Sequence, residues 1–257
     1  GICIKSGKDK EGRDRNRPNE NLIVKNCVVF HGHGGVTVGS EMSGGVRNLH
    51  VSNCTFIGTD VGLRFKSNRG RGGVVENIYI SKIEMMNIPT QAISFNLFYS
   101  GRSASEDIDA GGVGESGQVL PVTEETPQFR NIYIQDVNCK GAMLGIQLQV
   151  IPEMNLENVN LENIQMEADQ GLVCSDAKNV NIKNLTLFTK RAPVANFKNS
   201  GNVEIDGLHF QESAGPVVQI SGATSHDIVL KNVNLTNQSK QILLGKEVRS
   251  TAIQLIK

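Results

Sequence analysis

A nine-residue phrase that begins with asparagine recurs along this chain, and the recurrence limits its fold more than any other feature. NLIVKNCVV starts at Asn21, NLHVSNCTF at Asn48, NIYISKIEM at Asn77 and NIYIQDVNC at Asn131. NVNLENIQM starts at Asn158, NVNIKNLTL at Asn179, NVEIDGLHF at Asn202 and DIVLKNVNL at Asp227. Neighbouring starts lie 27, 29, 54, 27, 21, 23 and 25 residues apart, and periods of this size mark a solenoid. Within each phrase apolar residues alternate, as at Ile78 and Ile80 or Val203 and Ile205. Period two means strand. Five residues after each start stand Asn26, Asn53, Lys82, Asp136, Asn163, Asn184, Gly207 and Asn232. Nearly all tolerate a left-handed backbone, so the chain is expected to bend there.

A second short segment follows the phrases: GVTVGS, GLRFKS, AISFNLF, GIQLQV, GLVCSD, PVANFK and PVVQIS. Short strands joined by bends, one coil per repeat, describe an all-β fold, a right-handed parallel β-helix. Each coil of such a solenoid buries its apolar edge on its neighbours. A leucine-rich repeat of equal length lacks support, because its fixed Leu spacing and Asn-Leu signature are missing. A β-sandwich would need frequent tight hairpins, and few NG or DG turns are present. Residues 1–257 therefore form one domain. The 54-residue spacing holds a loop insertion at about 100–129, rich in Gly, Ser, Asp and Glu. Such loops on solenoids often shape binding faces. Cys27 and Cys54 fall in the same slot of consecutive repeats and are expected to stack inside as a ladder. The five cysteines, Cys3, Cys27, Cys54, Cys139 and Cys174, form no CxxC and read as free thiols.

Lys plus Arg equals Asp plus Glu at 26 each, which argues against a nucleic-acid partner held by net charge. No apolar run is long enough to span a membrane. The N-terminal GICIKSGKDKEGRDRNRPNEN has the wrong order of charge and apolarity for a signal peptide.

Chemistry concentrates in two segments. His31 and His33 are two apart in HGHGG; on a strand they would face one side, yet no third ligand cluster follows, so no metal site is expected. The glycines fit no dinucleotide fingerprint, since no helix follows them. Arg64 and Lys66 are also two apart, in GLRFKS. They share one side of a strand, and that side is outward because Leu63 and Phe65 are apolar. One coil earlier His33 lies just ahead of GVTVGS, which puts it near the Arg64/Lys66 pair. A patch of this kind suits an acidic ligand, since arginine forks match carboxylates.

IKSGKD near the N-terminus, GHG at Gly32–Gly34, GSEMSGGVRN at Gly39–Asn48 and LRFKSNRGRGG at Leu63–Gly73 together resemble glycoside hydrolase family 28, the polygalacturonases. The resemblance extends over about residues 2 to 133, where TPQFRNIYI also fits. It implies a parallel β-helix that hydrolyses pectin, or galacturonan, with inversion and no cofactor. It assigns His33 to tuning the catalytic acid, Arg64 and Lys66 to the galacturonate carboxylate, and Tyr99 to the substrate cleft. Phe65 stands where the family has Ile. It also implies three catalytic aspartates, in an Asn-Thr-Asp motif and an Asp-Asp pair before ICIKSG, and neither motif occurs in these residues. The chain is thus expected to begin just after them, N-terminally truncated, and to be inactive alone. Asp60, Glu41, Glu106, Asp107 and Asp109 are the acids expected nearest the cleft, with nothing in the sequence to set the separation that inversion needs. Alternatives are a non-catalytic module that binds acidic polysaccharide, a structural adhesin or tailspike-like solenoid, and a lyase, which would want calcium held by clustered acids. A polymeric substrate implies an extracellular or periplasmic location. An open N-terminal edge of the β-helix is expected to invite self-association.

Overall fold

The computed structural model describes residues 1–98, 119–211 and 215–256. In chain order the first strands are β1 (Ile2–Ile4), β2 (Asn19–Lys25), β3 (Val28–Phe30), β4 (Val36–Gly39), β5 (Val46–Ile57) and β6 (Leu63–Lys66). Three long strands follow, β7 (Val74–Asn96), β8 (Gln128–Gln149) and β9 (Glu157–Ser175). Then come β10 (Lys178–Thr189), β11 (Ala195–Lys198), β12 (Gly201–Phe210), β13 (Val218–Ser221), β14 (His226–Lys231), β15 (Ile242–Leu244) and β16 (Ile253–Ile256). Helix α1 (Asp9–Arg15) lies between β1 and β2. Every named strand pairing is parallel, coil upon coil. The chain is a right-handed parallel β-helix, with successive coils about 4.8 Å apart.

The asparagine phrases form the corners. Asn48, Asn77, Asn131 and Asn158 all have positive φ, and so do Asn26, Asn53, Asp136, Asn163 and Asn184 five places into their phrases. Lys82 bends in the same way at φ 56, although nothing in its chemistry favours it. The phrase-starting asparagines, which the alternation alone does not mark as bends, make a second corner in each coil. Their amides run up the stack. Asn48 Nδ2 donates to Asn21 Oδ1 at 3.1 Å, Asn77 to Asn48 at 3.2 Å, and Asn158 to Asn131 at 3.0 Å. The second corner repeats the device, with Asn53 donating to Asn26 at 2.7 Å and Asn184 to Asn163 at 2.9 Å.

Because corners repeat in register, like residues stack inside. One column runs Leu22, Leu49, Ile78, Ile132, Val159, Val180, Val203, Ile228 and Ile253. Phe65 stacks on Phe95 with centroids 4.4 Å apart, and Phe129 meets Phe65 edge-on at 6.4 Å. Phe129 is fully buried, and β8 already begins at Gln128. The insertion therefore ends one to two residues before the sequence boundary suggests. Cys27 and Cys54 do share a slot, flanked by the Val28–Thr55 pairing, but Cys27 is only half-buried whereas Cys54 is buried. On another outer wall His50, Tyr79 and Tyr133 form a parallel ring stack at 4.9 and 5.3 Å, so each interior ring face is covered by the next.

Asn53→Ala should lower the thermal unfolding midpoint by the equivalent of about 2 kcal/mol, through lost hydrogen bonding and left-handed strain. Asn53→Gly keeps the backbone option and should lose about half as much. Differential scanning calorimetry of both variants checks this; a greater loss for glycine would contradict it.

Candidate functional site

β1, β4, β6, the C-terminal parts of β7, β8 and β9, and β11 and β13 line one wall of the helix. Its outward residues form two adjacent columns. Thr37, Arg64, Ser94, Gln147, Val173, Asn196 and Gln219 follow one another in the first. Gly39, Lys66, Asn96, Gln149, Ser175, Lys198 and Ser221 follow in the second. Neither column contains a carboxylate. Behind them Leu63 and Phe65 are buried in the core, so the outward direction expected for Arg64 and Lys66 holds.

The environment is less open than an exposed basic surface. Arg64 is only 7% exposed, and Ser94, Asn96, Gln147 and Gln149 are buried as well. Ser94 Oγ donates to Gln147 Oε1 at 2.9 Å, and Gln147 Nε2 donates to Gln149 Oε1 at 3.3 Å. These amide rungs were legible as period-two polar residues in AISFN and GIQLQ, but their alternation looks like any half-exposed strand. Lys66 is half-buried. Burial, with the Arg64 and Lys5 charges, pushes its pKa down to about 8.

His33 and Asp60 occupy consecutive corner loops that lead into β4 and β6. The Asp60 N–H donates to the Gly32 carbonyl at 2.8 Å and locks the loops together. His33 Nδ1 lies 2.6 Å from Asp60 Oδ2, while the His33 side chain is 93% exposed. The two histidines of HGHGG are not strand neighbours as supposed. They lie in bends, and His31 adopts φ 51, so the same-face argument does not apply. The glycines serve packing: a Cβ at Gly35 would come within 2.4 Å of the Phe56 ring. Among the described residues no group of three or more His, Cys, Asp or Glu side chains gathers in a metal-ligating cluster.

Glu41 forms an ion pair with Lys5. Beyond the exit of β6, Arg69 makes a two-pronged pair with Glu153, with Nη2 to Oε2 at 2.7 Å. Its guanidinium lies 5.6 Å from the Phe98 ring centroid. The Glu153 side chain is 2% exposed, so this pair ties the loop after Lys66 to the coil beyond it. Tyr99, Glu106, Asp107 and Asp109 lie outside the described residues.

After reductive methylation, the Lys66 NMR signal should titrate near pH 8, well below the ordinary lysine value of 10.5. Between these values the unfolded chain holds this proton more firmly than the folded one. Lys66 thus makes stability rise with pH across that window, and Lys66→Met should flatten the rise in a pH series of melts.

The sequence profile described as glycosyl hydrolases family 28 matches residues 1–134. A probable polygalacturonase of Vitis vinifera is 32% identical over 181 residues, covering 70% of this chain and 35% of that protein. A polygalacturonase of Ralstonia nicotianae is 38% identical over 130 residues, 49% of this chain and 20% of that protein. The crystal structure of a hyperthermoactive exopolygalacturonase from Thermotoga maritima superposes with a TM-score of 0.55 at 24% identity, over 83% of this chain and 39% of that one. The chain thus spans about a third or less of the length of these curated relatives. With a profile match over more than half its residues, on the β-helix just described, the chain belongs to glycosyl hydrolases family 28.

Proposed function

We propose that the two-column wall binds the galacturonate backbone of pectin, and that this chain supplies the substrate-holding part of a pectin-hydrolysing site. The observation that carries the reading is the Arg64/Lys66 pair, side by side on columns without a carboxylate and one loop away from the His33–Asp60 pair. Arg64, already largely withdrawn from water, offers a fork to a sugar carboxylate with little further desolvation. Lys66 adds a second cation whose charge is lost at unusually low pH. His33, oriented by Asp60, presents its other ring nitrogen to the bound sugar. The family resemblance adds Tyr99 to the cleft. The relatives are named as polygalacturonases, which supports galacturonan as the ligand. A polymer of that size is met outside the cytoplasm, in the extracellular or periplasmic space.

Hydrolysis with inversion needs two carboxyl groups at about 6.5–9.5 Å across the scissile bond. These 257 residues hold no adjacent Asp pair and no Asn-Thr-Asp. Two acids expected near the cleft are paired, Asp60 with His33 and Glu41 with Lys5. In this reading the chain alone binds the polymer and does not cleave it. Incubation with polygalacturonate should release no reducing sugar, and measurable release would overturn that statement. In calorimetry, oligogalacturonate should bind, and Arg64→Ala should weaken it about tenfold or more. Binding should also fall as pH rises through 8, where Lys66 loses its charge. Equal affinity of wild type and Arg64→Ala would reject the site.

A further inference from the structure

We infer that Cys27 and Cys54 form a modification site, where a small disulfide such as glutathione disulfide oxidises them to a bond that staples the first two coils together. The inference does not depend on the galacturonate reading. Backbone pairing fixes the two cysteines from both sides. Lys25 pairs with Ser52 and Val28 with Thr55. Between these pairs the Asn26 N–H donates to the Ser52 carbonyl at 3.1 Å, and the Thr55 N–H donates to the Cys27 carbonyl at 2.9 Å. Asn53 Nδ2 donates to Asn26 Oδ1 at 2.7 Å. Cys27 therefore lies directly against Cys54, with the Cα atoms one coil rise, about 4.8 Å, apart. Disulfides span Cα separations of about 4.4–6.8 Å. The Cβ atoms must draw together by roughly 0.5–1 Å to reach their usual spacing. Among the described residues β2 and β3 pair on one side only, so the backbone around Cys27 can yield by that amount.

No other cysteine has such a partner. Cys3 pairs with Thr37, Cys139 lies between Met85 and Met166, and Cys174 lies between Leu148 and Phe197. Little is lost on oxidation. Each thiol donates to the carbonyl two residues before it, Cys27 to Lys25 and Cys54 to Ser52, both at 3.3 Å. Thiols are weak donors, and the Ser52 carbonyl keeps the Asn26 N–H. The two thiols also interact directly.

Cys27 is half-buried and Cys54 buried, so the reaction starts at Cys27. Its thiolate, the proton given to water, attacks one sulfur of the small disulfide and expels the other half as a thiolate. Cys54 then loses its proton and attacks the Cys27 sulfur, expelling the second half. One S–S bond forms in the protein, one breaks in the oxidant, and the two released thiolates take up the two protons. The extracellular or periplasmic space proposed above is where such bonds persist. His33 and Asp60 each follow one of the cysteines by six residues, so the staple joins the two coils whose loops meet at that pair.

The test is incubation of the folded chain with glutathione disulfide, followed by thiol counting in denaturant and peptide mapping by mass spectrometry. Free thiols should fall by two, from the five in the chain. The peptides carrying Cys27 and Cys54 should appear joined, lighter by two hydrogens. The thermal unfolding midpoint should rise by about 5 °C and return after dithiothreitol. Cys27→Ala and Cys54→Ala should show neither the link nor the rise, and the wild-type result decides the matter if a variant fails to fold. Five thiols throughout, a glutathione adduct on Cys27 that goes no further, a link between other cysteines, or a link without the rise would each overturn the inference.

Discussion

The structure depends on asparagine in the left-handed region. An ordinary residue there costs roughly 1–2 kcal/mol, and one such corner would gain nothing by itself. Stacked, each corner amide donates to the one below, as Asn48 does to Asn21 and Asn77 does to Asn48. The local strain is offset by a hydrogen bond that exists only if the next coil is present and in register. That requirement fixes register along the axis. A slip of one residue would exchange core and surface along a strand. The spine is not uniform: Asn179 turns its Nδ2 to the Leu156 carbonyl at 3.4 Å, and Lys82 and Gly207 bend without an amide. The columns inside pass through these gaps unbroken, so packing carries register where the amides do not.

From register follows the wall. Outward residues that are far apart in sequence, such as Arg64 and Gln147, become rungs of one ladder. Because each rung packs on its neighbours, polar side chains that would be exposed on an isolated hairpin are buried. They satisfy one another, as Ser94 does Gln147. The same closeness lowers the Lys66 pKa, first by taking the ammonium partly out of water and then by setting Arg64 beside it. The electrostatic character of the wall is in this sense a property of the stack rather than of any coil.

Much of this was legible in the sequence. The period, the alternation and the Asn, Asp and Gly at the fifth position led to the parallel β-helix. The inward Leu63 and Phe65 oriented Arg64 and Lys66. What escaped was whatever depends on the identity of the next coil. The burial of Arg64 requires knowing that the neighbouring rungs are bulky. The His33–Asp60 pair requires knowing that two corner loops are hydrogen-bonded, and Asp60 appeared only as one acid among several. HGHGG misled for a simpler reason. Its histidines sit in bends, where strand periodicity has no meaning.

The Asn77-to-Asn131 step carries one more implication. These residues are 54 apart in sequence, yet Asn131 Nδ2 still donates to Asn77 Oδ1 at 3.2 Å, and Ile132 still pairs with Ile78. The spine therefore does not register how much chain departs between two corners. Length can be gained or lost between two coils without disturbing the frame that holds Arg64 and Lys66 in register. A frame of this kind can absorb insertions of different length while its outer columns keep their places.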